Sequence, residues 1–356
     1  MIKKLLALAL AGAMLLTGCG SSNNKDLKYS GQTLKIYNWG EYTGDDLIRN
    51  FKKQTGANVI MEYFDSNEMM YTKLSAGDRY DVLIPSDYMI ERMIKEDMLM
   101  KIDKDKITNF DVLHDGVRNL PFDPENDYSI PYFWGSVGIL YNKNNVPKEE
   151  VEEKGFEIFR DRKYKGKIYM YDSERDSFMI AFKALGYSMN TDNEEEIIKA
   201  YDWLVDVNAN MSPDYVTDEV IDGMLNGNKD LAVVYSGDAT VIIDENSDMG
   251  FSMPKEGTNL WCDSMVIPKN AENPELAHEF LNYVLTYDAS YDNTETCGYA
   301  SANKDVLTDI MAEGGLFFEN EAFVPRSGYE KDETFEYNEF LKKKLSELWI
   351  KVKVSK

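Results

Sequence analysis

The sequence is poor in cysteine, histidine and positive charge. Its 356 residues include 3 cysteines and 2 histidines, and 63 acidic residues face 39 lysines and arginines, for a formal net charge of -24. His114 and His278 lie far apart, with no cysteine at metal-binding spacing, so we predict no metal site. The excess of acid argues against nucleic acid and phosphate ligands and mildly favours cations. A phosphate-cradling glycine loop and a Gly-x-Ser-x-Gly elbow are also missing, which excludes the enzyme classes built on them.

Long apolar runs are missing except at the N-terminus. Two lysines precede an apolar run from Leu5 to Leu16, which ends in small residues before Cys19. A basic start, a short apolar core and a small-residue cleavage site predict a signal peptide over residues 1–18. A cysteine at the cut resembles the bacterial lipobox, so we expect Cys19 to be lipidated and residues 19–28 to form the tether. An ordinary signal peptide with an incidental cysteine is the alternative. Lipidation would leave the protein extracytoplasmic and anchored to the cell membrane.

The two remaining cysteines allow two interpretations. Cys262 and Cys297 could form a disulfide in an exported protein. Both lie inside apolar or aromatic stretches, which favours buried free thiols. The sequence leaves this question open.

Strand and helix patterns alternate along the mature chain. Residues 34–37, 59–64 and 82–85 read as strands separated by amphipathic helices, which predicts a βαβαβ unit with a parallel sheet. Residues 103–131 then read as polar and irregular. A glycine-flanked extended stretch at 134–138 leads to a second region of strands and helices, which includes a strand at 231–235. The length also favours two lobes over one core, so the fold class is α/β with two lobes.

Aromatic, hydroxyl and carboxylate side chains follow four of the predicted strands. They lie at residues 37–42, 84–88, 170–176 and 234–238. Ligands of open parallel sheets bind beyond the carboxyl ends of the strands. An aromatic face attracts an ammonium group and packs against methylenes, and a carboxylate accepts its N–H donors. The pattern therefore favours an aliphatic diamine, although packing aromatics and solubilising acids remain the alternative.

Short motifs in a fixed order cover essentially the whole mature chain. They are Tyr37-Asn38-Trp39 with Glu41-Tyr42, Ser66-Asn67-Glu68, Tyr80-Asp81-Val82, Pro85-Ser86, Pro121-Phe122-Asp123-Pro124, residues 126–132, Trp134-Gly135, Leu185-Gly186-Tyr187, residues 254–257, Trp261 with Asp263-Ser264, Ile267-Pro268 and Gly298-Tyr299. With these motifs the chain resembles the periplasmic spermidine/putrescine-binding proteins of polyamine ABC importers.

The resemblance implies a two-lobe periplasmic-binding-protein fold. Each lobe would be a mixed, mostly parallel sheet flanked by helices, with a hinge between the lobes. Lobe one would hold residues 29–137 plus 262–307, and lobe two residues 138–261 plus 308–356. The protein would be a monomer without a cofactor or catalysis. It would capture putrescine or spermidine and deliver it to a permease and its ATPase, and it would meet the membrane only through its anchor.

The resemblance also implies a set of ligand-binding residues. Trp261 and Tyr235 would sandwich the aliphatic chain, and Asp263 and Asp176 would pair with ammonium groups. Asp176 replaces a glutamate of the family, Thr217 a serine and Tyr235 a tryptophan. The full set is Trp39, Glu41, Tyr42, Ser86, Tyr88, Ser173, Asp176, Thr217, Tyr235, Asp238, Trp261, Asp263 and Tyr299.

Several departures leave the preferred polyamine open. Gly40 stands where relatives keep a hydroxyl. Ser173 stands where spermidine-preferring relatives carry an aspartate, whereas Asp238 matches an acid of putrescine-preferring relatives. A glutamine of the family near the C-terminus has no aligned counterpart here, and Glu333 or Glu336 is the candidate for its place.

Three other functions are compatible with parts of the pattern. The cargo could be a different organic cation such as thiamine. Facing carboxylates are also found in exported glycosidases, although that class does not explain the pairing of aromatics with acids. A surface lipoprotein with an adhesive role is the third alternative.

Overall fold

The computed structural model describes residues 27–326 and 328–355. The predicted signal peptide, Cys19 and residues 19–26 of the tether lie outside the described residues. No helix within the described ranges is long and apolar enough to cross a bilayer.

The described chain alternates strands and helices. The strands are β1 (Thr33–Trp39), β2 (Asn58–Phe64), β3 (Val82–Leu83), β4 (Ser129–Asn142), β5 (Ile168–Tyr171), β6 (Asp214–Val216), β7 (Leu231–Tyr235), β8 (Met249–Ser252), β9 (Leu260–Val266) and β10 (Ala300–Ser301). The helices are α1 (Leu47–Thr55), α2 (Asn67–Ser75), α3 (Asp87–Lys95), α4 (Lys148–Lys154), α5 (Glu174–Ala184), α6 (Glu194–Met211), α7 (Glu219–Leu225), α8 (Ser236–Glu245), α9 (Pro274–Val284), α10 (Tyr287–Cys297), α11 (Lys304–Met311) and α12 (Glu339–Val354).

The first three strands form the predicted βαβαβ unit. β1 pairs in parallel with β2 on one side and with β3 on the other. The helix between β1 and β2 buries Leu47, Phe51 and Thr55, which recur every four residues and therefore share one face. Gly56 ends that helix with a φ of 78°, a left-handed value that suits glycine at this position. The alternation predicted from the sequence is confirmed here.

β4 joins two half-sheets into one continuous sheet. Its first half pairs antiparallel with β9, and its second half pairs antiparallel with β7 and β8. The first half-sheet also contains β1, β2, β3 and β10, and the second contains β5 and β6. We call the regions built on them the first and second lobes. The residue boundaries given above for the lobes stay a prediction.

The start of β4 differs from the sequence-based prediction. Residues 129–131 belong to the strand, although they end the stretch predicted to be irregular. Pro131 obscured the strand because proline cannot donate a ladder hydrogen bond. The register with β9 shifts between Pro131 and Phe133, and this irregularity accommodates the proline.

A third chain segment meets β9 at the junction of the half-sheets. Leu260 N donates to Glu333 O at 2.8 Å, and Glu333 N donates to Thr258 O at 2.9 Å. The Glu333 carboxylate contacts the buried Lys183 ammonium at 3.1 Å and accepts from Met189 N at 2.8 Å. Glu333 is therefore held by the protein itself.

Both cysteines in the described part of the chain are free and buried. Cys262 lies on β9 and Cys297 ends α10. The sequence left open a disulfide or two free thiols, and in the structure the two thiols are free.

Candidate functional site

The second lobe places Asp176 among hydroxyl donors. The Tyr235 hydroxyl at the end of β7 donates to Asp176 Oδ2 at 2.8 Å, and Ser173 Oγ donates to the same oxygen at 2.7 Å. Ser173 also caps α5, because its oxygen accepts from Asp176 N at 3.3 Å. Burial raises the pKa of Asp176, and the two hydroxyls counteract part of this rise. Ser173 therefore stabilises the carboxylate of Asp176 through its hydroxyl and does not supply a carboxylate of its own.

Asp238 connects the two lobes. It lies in the first turn of α8 and accepts from the Tyr171 hydroxyl at 3.1 Å and from the Tyr299 hydroxyl at 2.9 Å. Tyr299 directly precedes β10 of the first half-sheet, so this second bond spans the cleft between the lobes. Burial raises the pKa of Asp238 to about 6, and the two tyrosine hydroxyls oppose the shift.

Asp263 is a buried acid on β9 of the first lobe. Its Oδ2 accepts from the Tyr42 hydroxyl at 2.9 Å, and Ser86 forms an isolated β-bridge with it. Its Oδ1 is buried and has no hydrogen-bond partner. Burial raises the pKa of Asp263 to about 6, and the Tyr42 hydroxyl, which donates to the carboxylate, opposes the rise. One oxygen of a buried carboxylate is therefore available to a ligand.

The three acids have no salt-bridge partner among the described residues. Within residues 27–326 and 328–355, no lysine or arginine forms an ion pair with Asp176, Asp238 or Asp263, although the Arg175 charge lowers the pKa of Asp176 from nearby. Buried charges are normally paired, because transfer of a lone charge out of water is costly. Hydroxyl groups alone leave the negative charge in place, so the cleft is suited to a cationic ligand.

Aromatic rings line the space between these acids. The Trp261 ring centroid lies 5.3 Å from that of Tyr299 and 6.1 Å from that of Tyr235, with edge-to-face angles of 70° and 86°. Tyr235 in turn stacks on Tyr171 at 4.4 Å. The Trp261 Nε1 is buried without a hydrogen-bond partner.

Two glycines allow this close packing. A Cβ at Gly135 would lie 2.3 Å from Trp261 Cζ2, and a Cβ at Gly237 would lie 2.3 Å from Tyr299 Cδ1. Any larger residue at either position would push a ring out of the cleft. The Trp134-Gly135 and Ser236-Gly237 pairs of the sequence therefore position aromatic rings by leaving out a side chain.

Other predicted residues lie near the rim or serve as support. Trp39 Nε1 donates to Ile84 O at 2.9 Å, and its ring packs against Phe64 at 4.5 Å. Glu41 is exposed, and Thr217, also exposed, donates to the Glu219 carboxylate at 3.1 Å. The structure does not bring Glu41 or Thr217 into the hydrogen-bond network of the acids.

Ser86 and Tyr88 are tied together by an asparagine outside the predicted set. Asn67 Nδ2 donates to Ser86 Oγ at 3.1 Å and to the Tyr88 hydroxyl at 3.0 Å. Asn67 belongs to the Ser66-Asn67-Glu68 motif, which is given no role in binding above.

Asp87 is a second residue outside the predicted set of ligand-binding residues. It is fully buried, accepts from Cys262 N at 3.3 Å, and burial raises its pKa to about 8.

Phe335, near the C-terminus, packs against Tyr88. Its ring centroid lies 6.2 Å from that of Tyr88. Glu333 is occupied at the junction of the half-sheets, and Glu336 is exposed. The surroundings of Phe335 come from tertiary contacts with Tyr88 and Arg175, which the sequence alone does not reveal.

Two lobes on one continuous sheet, with acids and aromatics of both lobes around one cleft, define a solute-binding protein. The model of the family described as bacterial extracellular solute-binding protein matches residues 46–318. The chain belongs to this family.

Relatives and solved structures agree with this assignment over most of the chain. The spermidine/putrescine-binding periplasmic protein of Escherichia coli K12 is 36% identical over 91% of this chain and 92% of its own length. The putrescine-binding periplasmic protein SpuD of Pseudomonas aeruginosa is 31% identical over 87% of each chain. A putative spermidine/putrescine ABC transporter structure from Listeria monocytogenes matches with a TM-score of 0.83 and 34% identity, covering 91% of this chain and 100% of the other. The two-lobe fold expected from the sequence is confirmed.

The raised pKa of Asp263 yields a stability prediction. Its carboxyl titrates near 4 when unfolded and at about 6 when folded, so the native state binds the proton more tightly and loses stability as pH rises from 4 through 6. We expect Asp263→Asn, which keeps the shape without the charge, to increase the free energy of unfolding of the ligand-free protein by about 1–3 kcal/mol at pH 7.5.

Urea unfolding at pH 7.5 and pH 4.5 measures this gain, which should shrink at the lower pH. Asp111→Asn, which changes an exposed carboxylate, is the matched control and should leave the unfolding free energy within about 0.5 kcal/mol of wild type. An Asp263→Asn variant no more stable than wild type at pH 7.5 would contradict the assigned cost of the buried charge.

Proposed function

We propose that this protein captures a polyamine, putrescine or spermidine, in the cleft between its lobes and delivers it to the permease and ATPase of an ABC importer. The observation that carries the proposal is the buried Asp263 Oδ1 without a hydrogen-bond partner, in the cleft lined by Trp261 and Tyr299. The names of the relatives that span nearly the whole chain point to the same class of cargo.

A polyamine supplies what the cleft lacks. Each ammonium group offers only hydrogen-bond donors and a positive charge, and Asp176, Asp238 and Asp263 offer acceptors and negative charge. The methylene segments can pack against the faces of Trp261 and Tyr235, where each good cation–π contact adds about 0.5–2 kcal/mol. An anionic cargo would instead need arginines or helix N-termini, and a sugar would need amides as well as acids.

Capture by both lobes links binding to a change of shape. Asp176 and Asp238 belong to the second lobe, whereas Tyr42, Tyr299 and Asp263 lie on the first half-sheet or its loops. A cargo that contacts both sets binds the closed form more tightly than the open form. It therefore shifts the population toward closure, and the importer would recognise that closed form.

Binding to a panel of small molecules tests the proposed cargo. We expect putrescine or spermidine to raise the melting temperature and to bind by calorimetry, and thiamine, basic amino acids and a set of glycosides to leave both measurements unchanged. Asp263→Asn should weaken polyamine binding by about 2–5 kcal/mol, because the cargo loses a buried ionic partner. Asp111→Asn is again the control. Binding of thiamine instead, turnover of a glycoside, or a less than threefold effect of Asp263→Asn would overturn the assignment.

Asp238 provides a test of cargo length. It is hydrogen-bonded inside the cleft, and Asp172 does not substitute for Ser173, because Asp172 pairs with Lys353 at 2.7 Å on the surface. We expect Asp238→Ser to weaken putrescine at least tenfold more than spermidine, or about 1.4 kcal/mol. Titration of both ligands at one salt concentration measures the ratio. Equal losses would refute this role and leave polyamine binding intact.

We also propose that the protein reaches the importer as a lipoprotein anchored through Cys19. The support is the apolar run that ends in small residues before this cysteine. Cys19→Ser should abolish incorporation of radiolabelled fatty acid in the producing bacterium. Cys262→Ser, which changes a buried thiol, is the control and should leave incorporation unchanged. Labelling of the Cys19→Ser variant would show that the anchor is elsewhere.

A further inference from the structure

Arg175 reaches across the cleft. It lies in the first turn of α5 in the second lobe, next to Asp176. Its guanidinium carbon lies 3.7 Å from the ring centroid of Tyr88, which belongs to α3 of the first lobe. The ring of Phe335, near the C-terminus, lies 5.5 Å from the same carbon. A cation of one lobe thus sits over an aromatic face of the other.

The guanidinium lacks a polar partner within the described part of the chain. Its Nε is buried without a hydrogen bond, and no described residue forms a hydrogen bond or ion pair with the group. Arg118 is a useful contrast inside the first lobe. Its Nε is also buried and unpartnered and its guanidinium lies 5.5 Å from the Phe110 ring, but it donates to two backbone carbonyls. Arg175 lacks such carbonyl partners, and its direct contacts are with the aromatic rings of Tyr88 and Phe335.

The position of Arg175 on its helix is also unfavourable. A cation in the first turn opposes the positive end of the helix dipole. A buried donor without a partner adds a further cost, and such groups in native proteins call for an explanation. Local stability of α5 does not explain this arginine, whereas a role between the lobes does.

The surrounding charges favour a position between the lobes. The Arg175 charge lowers the pKa of Asp87 in the first lobe and of Asp176 in the second, although burial raises the pKa of both acids. The guanidinium therefore stands near one buried acid of each lobe. Its attraction to the first-lobe acid and to the Tyr88 ring is available only when the cleft is closed.

We propose that Arg175 is a clasp that stabilises the closed arrangement of the lobes by holding its guanidinium on the Tyr88 ring, with Phe335 beside it. It is a positioning residue, because it brings Tyr88 and the first lobe toward Asp176 rather than binding cargo itself. The effect on cargo affinity rests on the proposed function, whereas the effect on lobe closure does not.

The distance between the lobes without cargo tests the clasp. Spin labels on cysteines introduced at the exposed Gln54 of α1 and Asp192 before α6 report the distance by pulsed electron resonance. Arg175→Met, which keeps the length of the side chain without its charge, should shift the population toward longer distances. Arg175→Lys should retain part of the short-distance population, because an ammonium also binds an aromatic face. Tyr88→Leu removes the ring from the other lobe and should reproduce the opening.

Arg118→Met is the matched control and should keep the wild-type distances. Unchanged distances in both Arg175→Met and Tyr88→Leu would overturn the clasp. Calorimetry with putrescine and spermidine adds a second readout, in which Arg175→Met should weaken binding about tenfold. Weaker binding with unchanged distances would make Arg175 a direct contact and would also overturn the proposal. If wild type binds neither polyamine but the distances still shift, the proposed cargo is wrong and the clasp stands.

Discussion

The cleft depends on carboxylates that are taken out of water without a salt bridge to a protein cation. Asp176, Asp238 and Asp263 are held by tyrosine and serine hydroxyls, which can donate a hydrogen bond but cannot cancel a charge. The buried charges lower the stability of the folded protein, and the pKa of about 6 for Asp238 and Asp263 reflects this cost. Other parts of the fold must supply the stability that offsets it. The aromatic rings, the glycines beneath them and the contacts between the lobes all serve to exclude water around these acids.

Much of the fold follows from local patterns. The first βαβαβ unit and strand β7 were predicted closely, because apolar periodicity and glycine stops lie within short segments. Helix α8, which begins at Ser236 directly after β7, was not predicted. Its Gly237 admits the Tyr299 ring. The last helix begins only at Glu339, because Glu333 in the preceding segment is hydrogen-bonded to Leu260 and Thr258.

Residues of the candidate site could be predicted where they belong to a sequence motif. They could not be predicted where contacts between distant segments bring them into the site. Asp263 with Tyr42, and Asp176 with Tyr235, come from positions that strand ends and family motifs identify. Arg175 and Phe335 gained their surroundings only through contacts between distant segments. Neither a spacing rule nor composition indicates that an arginine beside an expected ligand residue will cross the cleft.

The order of strands in the first half-sheet has a consequence for how the chain folds after leaving the ribosome or a secretion channel. β9 lies between β3 and β4, although both precede it by a long stretch of sequence. A chain that emerges N-terminus first exposes β3 and one edge of β4 until β9 arrives, and open edges of this kind invite pairing with other chains. The β-bridge between Asn259 and Glu333 also cannot form until Glu333 has emerged. The N-terminal half of the chain therefore cannot complete its sheet during synthesis or export. The two lobes reach their folded structures together, near the end of that process.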